Sequence, residues 1–462
     1  LMLDHKNLML LSNGEPPLDT YFEGSVAPYT LSIDEEIPVN KYRFDALRAL
    51  LKHYSTLPKK QKSLVHAFSL GGELHHMFED FQTGTGRFDD VRFTDYSENS
   101  KHDFRDWLKN QYKDVAKLNL RLRSNYSTWD EIEPPSKNIR KEKLLNFSEH
   151  IDSYAHGILP VFGWLWNDTD QPLEAINVYV DGNHSGVADY NLNRMDVYQA
   201  LEALQNPNVG FRYALDFSTL QPGIHQLQVI ATVGDEKYEL VKQQFVYVDE
   251  NQVKPKVIKT VPLNDEIKAA ETLEGLSFYM DHPRSLQDVY YNPLADLWNE
   301  FRESQVETLI NYIWLQALNS GAEKRKLYSH QIPPSLNSSW NTVLFAADQS
   351  ISESSNYLPG ITLYGGSADG MAAEELYPAL KHRTYGVPEF HPQQYKSFDR
   401  TYEALMIHYY KMASFVTPYY ISVTPEHLRY KDPEHTRFLL ETTNESYGSH
   451  HLYQAIIEAA AY

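Results

Sequence analysis

The chain has 462 residues, 42% of them hydrophobic and 13% aromatic, with 33 Tyr, 7 Trp and no Cys; that suits two or three domains with a large core and excludes general disorder. A formal charge of −20, from 42 basic and 62 acidic residues, repels phosphate backbones and anionic lipid surfaces, so neither nucleic acid nor membrane is an expected partner. The missing thiols exclude disulfides, cysteine nucleophiles and Cys-ligated zinc.

No stretch approaches the roughly 18 apolar residues of a membrane span, and no signal peptide is visible. The first residue is Leu1 rather than Met, so a trimmed or fragmentary start is expected; the absence of Cys fits a bacterial periplasmic or secreted location.

Residues 1–149 read as α/β. Leu8 to Ser12 is a short apolar run before Asn13-Gly14-Glu15-Pro16-Pro17, a buried strand followed by a loop. Tyr42 to Tyr54 carries Phe44, Leu47, Leu50 and Leu51 at helical spacing. Ser63 to Leu70 reads as a strand that delivers Glu73, within Gly71-Gly72-Glu73-Leu74-His75-His76. Phe81 to Gly86 is a loop without the Gly-Lys-Ser/Thr of a phosphate cradle. A helix with Ser97 as N-cap is expected through Phe104, Trp107, Leu108, Tyr112, Val115 and Leu118.

Residues 150–252 change to apolar–polar alternation, as in Ile176 to Val180, His225 to Ala231 and Lys242 to Val248, divided by Asp181-Gly182, Pro222-Gly223 and Gly234-Asp235. Short strands at that spacing predict a β-sandwich, with Val253 to Lys256 as its exit linker. From 253 to 462 the α/β pattern returns: a helix over Leu294 to Leu318, strands at Lys326–His330, Ile361–Tyr364, Tyr385–Pro388 and Ser414–Thr417, and a closing helix from His451 to Ala461. Strands alternating with helices, with polar and aromatic residues clustered just after the strands, predict an α/β fold of the (β/α)₈ barrel type interrupted by the all-β segment. No Gly-rich fingerprint of a doubly wound sheet follows the first strand.

The chemistry gathers at two strand ends. Tyr385-Gly386-Val387-Pro388-Glu389-Phe390-His391-Pro392 repeats the design around Glu73: an apolar run ending in a carboxylate, with aromatic and imidazole residues next. Either glutamate alone reads as an ordinary charge, but two of them meet the requirement of retaining glycosidase chemistry. The high Tyr and Trp content suits the apolar faces and hydroxyl rims of sugars. Phe68, Phe78 and the histidine pair are expected to bury Glu73 and, with Glu389 nearby, to keep it protonated.

His75, His76, Asp95, His330, Gln331, Asn341 and His391 are candidate substrate contacts, and Trp340 a stacking platform or a loop-packing residue. Glu73-Leu74-His75-His76 lacks HExxH spacing, so no metal and no cofactor is expected. Gly365 to Gly370 contains no G-x-S-x-G elbow and reads as a loop near the site; Asn444 to Gly448 reads as a capping loop.

These pieces resemble the clan A glycoside hydrolases, retaining (β/α)₈ enzymes that include β-galactosidases. Asp95-Tyr96-Ser97, Phe104-Arg105-Asp106-Trp107-Leu108, Tyr112, Leu118-Asn119 and Trp129 look like the region after strand four in β-galactosidase-like members. The resemblance implies Glu73 as acid/base after strand four, Glu389 as nucleophile after strand seven, and Tyr364 as the tyrosine that hydrogen-bonds the nucleophile. Gly157 to Trp164, with Asp181-Gly182, Arg194 to Val197 and Pro222 to His225, is similar to an immunoglobulin-like module. The chain departs from the clan at Gly72, where Asn is usual, and in having only about 70 residues before Glu73, short for three βα units. A carbohydrate is therefore the expected partner, its identity and the oligomeric state left open. The rival readings are a non-catalytic carbohydrate-binding or surface-assembly protein and a metal-dependent hydrolase.

Overall fold

The computed structural model describes residues 4–21, 24–76, 86–249, 258–264, 267–271, 273–284, 286–352, 355–380, 383–391, 397–418, 440 and 449–462. The expected loop over 81–85, the linker over 253–256, Phe78, and the segment 444–448 lie outside them.

The strands are, in chain order, the hairpin β1 (Asp19–Tyr21) and β2 (Gly24–Val26), the short β3 (Phe68–Ser69), nine strands of an antiparallel region, and four more near the end. The nine are β4 (Ile158–Asn167), β5 (Leu173–Val180), β6 (Asn183–Val187), β7 (Asp189–Leu192), β8 (Gly210–Asp216), β9 (Gly223–Val233), β10 (Glu236–Val248), β11 (Leu276–His282) and β12 (Gln287–Tyr290). The last four are β13 (Leu327–Tyr328), β14 (Leu363–Tyr364), β15 (Val387–His391) and β16 (Val416–Pro418).

Five parallel segments lie side by side in chain order. β3 pairs with β13 (Phe68 opposite Leu327), and bridges at Tyr328–Leu358 and Gln331–Ile361 carry the ladder to the next segment. A bridge at Gly360–Gly386 and the β14–β15 and β15–β16 ladders complete it. Parallel neighbours in sequence order are what successive βα units produce, because each strand must cross over before pairing again.

Helices pack beside this sheet in three hydrophobic clusters. Helix Pro38–Thr56 starts with Pro in its first turn and buries Phe44 and Leu51 against Leu309, Ile310 and Ile313. Those three belong to helix Pro293–Asn319, whose N-cap Asn292 accepts from the Leu294 N–H. Earlier on the same helix, Leu294, Trp298 and Phe301 pack with Phe93, Phe104 and Leu108, so one long helix joins two hydrophobic clusters. Near the C-terminus, helices Phe398–Tyr410 and Ser449–Ala461 bury Ala404, Leu405, Leu452 and Ala455 with Val387 and Phe390 of β15.

Three local expectations change. Of the expected strand Ser63–Leu70 only Phe68–Ser69 pairs as a strand, after a short helix over Lys59–Lys62. The single helix from Ser97 is two: Ser97 does cap it, but Glu98–Tyr112 stops at Lys113, which turns left-handed at φ 63°, and Asp114 caps a new helix over Val115–Leu122. The run Leu8 to Ser12 forms only an antiparallel bridge, Leu8 to Tyr29, rather than a full ladder.

These nine strands form two sheets, β12-β10-β9-β5-β6 and β11-β4-β8-β7, antiparallel throughout except that β12 joins β10 in parallel. Leu159, Val161, Phe211 and Leu215 from one sheet meet Ile176, Val178, Leu227, Val229 and Phe245 from the other in a shared core. Asp181 and Gly182, both at positive φ (51° and 77°), make the two-residue turn between β5 and β6. Both sheets run past residue 252, where the sequence pattern ended: β11 pairs with β4 and β12 with β10. The two strands are short and half-buried, so they lacked the long alternation that marks the others.

Candidate active site

Glu389 lies inside β15 and His330 two residues past β13, on segments separated by the one that carries Gly360. His330 Nε2 is 3.2 Å from Glu389 Oε1, and the two side chains are 16% and 19% exposed. The approach is off the line of a directed hydrogen bond, so the contact is one of proximity. The middle segment makes it possible: a Cβ on Gly360 would fall 1.9 Å from the Ser329 carbonyl oxygen and 3.1 Å from Pro388. Only glycine lets the three backbones lie this close.

Glu73 follows β3 after two left-handed glycines, Gly71 at φ 84° and Gly72 at φ 87°. The chain then turns tightly, with Leu74 N–H donating to the Gly72 carbonyl at 2.8 Å. The Gln331 side chain clamps the next residue: its Oε1 accepts from Leu74 N–H at 2.9 Å and its Nε2 donates to the Leu74 carbonyl at 3.0 Å. Glu73 and Glu389 thus extend the same parallel sheet, three strand steps apart, and the adjacent residues His330 and Gln331 address the two segments that carry them.

The other expected contacts divide. His75 stays half-buried, its ring 5.2 Å from Phe345, which stacks on Trp340 at 5.2 Å with planes 9° apart. These three rings form a row beginning two residues from Glu73. Trp340 also borders a small pocket of about 20 Å³ with Asn193, Ile332, Asn337 and Thr362, and the buried Thr362 hydroxyl has no hydrogen-bond partner among the described residues.

Four residues expected to touch substrate are buried and hold the scaffold instead. His76 is fully buried, its Nε2 at 3.1 Å from the Arg302 carbonyl, and burial holds it well below the usual imidazole range. Asp95 accepts from Leu10 N–H, Ser97 N–H and the Ser97 hydroxyl, and burial pushes its carboxyl up to about 6. Gln331 is spent on Leu74 and on the Ser350 hydroxyl, and Asn341 donates to the Arg87 carbonyl and the Ser153 hydroxyl, each at 3.0 Å. A polar residue just after a strand reads the same in sequence whether it faces a cleft or closes a turn. The side chains of Tyr364 and His391 lie outside the described residues, though their backbones pair in the β14–β15 ladder. Phe68 packs edge-on against Tyr54, ring centroids 5.0 Å apart, in the helix-side core.

Sequence reasoning passed over three charged residues. Arg302, buried in helix Pro293–Asn319, donates to the carbonyls of Thr94, Val343 and Leu344 and so ties three segments together. Its neighbour Glu303 accepts from Gln349 N–H at 3.1 Å; burial, then the charge of Asp348, pushes its carboxyl up to about 8. Arg212 of β8 donates to the Trp340 carbonyl at 2.7 Å. A signal for the helix pair was available: Arg302 and Glu303 sit between Phe301 and Val306, apolar residues that the same helix buries.

Among the described residues, no three His, Asp or Glu are grouped to hold a metal ion, and no helix is long and apolar enough to cross a membrane.

A β-galactosidase family model, glycoside hydrolase family 42, matches residues 88–171. The match supports a clan A glycoside hydrolase, and glycoside hydrolase activity with it. It spans Asp95, both helices after it and β4, begins just downstream of Glu73, and reaches neither candidate glutamate. No curated protein and no solved structure matches the chain.

Proposed function

We propose that this protein is a retaining glycoside hydrolase acting on a β-linked oligo- or polysaccharide, with Glu389 as nucleophile and Glu73 as acid/base. The observation that carries the reading is the strand count. The segments bearing Glu73 and Glu389 are three parallel steps apart, the separation of strands four and seven that the clan A resemblance implies. The parallel segments then belong to a (β/α)₈ barrel, and the two antiparallel sheets to an immunoglobulin-like module inserted between its strands.

In this mechanism a Glu389 oxygen attacks the anomeric carbon while Glu73 donates its proton to the departing glycosidic oxygen. A water then attacks the glycosyl–Glu389 ester as Glu73 takes the water's proton, which releases the sugar and regenerates both carboxyl groups. His330, beside Glu389 Oε1, orients the nucleophile. The half-buried Trp340 and His75 supply ring surface for sugar faces.

The test is hydrolysis of aryl β-glycosides and of plant and marine β-linked polysaccharides by the wild type, Glu73→Gln and Glu389→Gln. Turnover by the wild type that both variants lose supports the assignment. Wild-type rates in either variant on a natural glycoside end that residue's role.

A further inference from the structure

The antiparallel sheets are docked on the segment that shapes the candidate site. Asn193 N–H donates to the Leu336 carbonyl at 2.9 Å, and Asn193 bridges Asn337 in a short parallel contact. A Cβ on Gly210 of β8 would meet the Ser338 hydroxyl at 2.4 Å, so backbone and loop touch with no layer between. Next along β8, Arg212 donates from Nη1 to the Trp340 carbonyl at 2.7 Å and from Nη2 toward the Thr342 hydroxyl at 3.4 Å. It grips the chain on both sides of Asn341, whose own amide is tied down by Arg87 and Ser153. The Trp340 ring lies flat on Phe345, and Phe345 meets both His75, by ring contact, and His76, whose N–H donates to the Phe345 carbonyl at 2.8 Å.

We infer that Arg212 is a positioning residue for the candidate active site: from within the antiparallel region it holds the Trp340–Phe345–His75 row in place beside Glu73. The role assigned to that row, binding the sugar chain, rests on the glycosidase reading; what Arg212 holds does not. An ionised donor on a carbonyl is among the stronger hydrogen bonds, and the planar guanidinium presents its donors at fixed angles where the three donors of an ammonium rotate on a flexible stem. The inserted region is on this account part of the catalytic machinery's support rather than a tethered accessory.

The experiment uses the full chain with Arg212→Gln, Arg212→Lys, Trp340→Ala and the Arg212→Gln/Trp340→Ala pair. Protein carrying 5-fluorotryptophan reports the Trp340 environment by ¹⁹F NMR, its resonance assigned by loss in Trp340→Phe. Arg212→Gln should shift that resonance, and should raise KM for β-linked oligosaccharides roughly three- to tenfold while kcat stays within about twofold. Arg212→Lys should recover part of the loss, and the double variant should be no worse than Trp340→Ala, because one residue acts through the other. A resonance that does not move in Arg212→Gln, or single-variant effects on KM that simply add, overturns the inference. Where Arg212→Gln does not fold, Arg212→Lys carries the same comparisons. If the wild type cleaves no glycoside yet the resonance moves, the glycosidase reading fails and the hold of Arg212 on Trp340 stands.

Discussion

His330 Nε2 and Glu389 Oε1 meet at 3.2 Å across the segment that carries Gly360, while the next residue, Gln331, grips the backbone just after Glu73. One strand end therefore braces both carboxylate-bearing segments.

If His330 orients the nucleophile, His330→Ala should lower kcat/KM on an aryl β-galactoside at least about tenfold, roughly 1.4 kcal/mol of transition-state stabilisation. Steady-state kinetics decide it. An unchanged kcat/KM would reduce the contact to packing.

The two glutamates should differ in rescue. Without Glu389, azide can attack the anomeric carbon directly and give a glycosyl azide of inverted configuration. Without Glu73, a substrate with a good leaving group still forms the intermediate, and azide releases it with configuration retained. Product stereochemistry by NMR for Glu389→Ala and Glu73→Ala tests this; the opposite pattern would exchange their roles. A crystal structure with a bound sugar should place the carboxyl groups roughly 5–5.5 Å apart, and a separation beyond about 10 Å would rule the pair out.

Gly360 and Gly72 should respond differently to substitution. Gly360→Ala drives a Cβ to 1.9 Å from the Ser329 carbonyl, a backbone clash expected to cost about 3 kcal/mol or more in urea unfolding. At Gly72 a Cβ would meet nothing within 4 Å, but the backbone sits at φ 87°. Gly72→Ala should therefore lose only about 1 kcal/mol, and Gly72→Asn less, since Asn tolerates left-handed backbone best. A loss at Gly72 equal to that at Gly360 would contradict this division.

Glu303 predicts a pH dependence of stability. Its folded carboxyl is pushed up to about 8 from 4.5, so the folded state holds a proton that the unfolded state releases. Its contribution is fully present below about 4.5 and is lost as pH rises through 8. The buried His156, His282 and His408, held down to about 4, 4 and 3, act in the opposite sense, but only below about 6.5. Between pH 6.5 and 8.5 the melting temperature of the wild type should fall, and that of Glu303→Gln should fall less. Parallel curves for the two proteins would remove Glu303 as the cause.

The sequence alone determined what depends on short-range pattern. Helical spacing of apolar residues located the Pro38–Thr56 and Pro293–Asn319 helices, Ser97 marked a helix start, and Asp181-Gly182 marked a hairpin because few other residues accept two successive positive φ angles. An apolar run leading into Glu pointed to Glu73 and Glu389 as strand-end residues; Glu73 does lie just past β3, but Glu389 falls inside β15, which runs on to His391. Only the tertiary structure decided which polar residues face a cleft and which are consumed inside. Asp95, Gln331 and Asn341 carry the residue types of substrate contacts, yet each is buried and hydrogen-bonded inside the fold, to Leu10, Leu74 or Arg87. Arg212 became visible only when β8 was brought against Trp340, more than a hundred positions later in the chain. A hydrogen-bond partner that far away leaves no local pattern, because satisfying a buried polar group depends on what folding brings within about 3 Å of it, not on its neighbours in sequence.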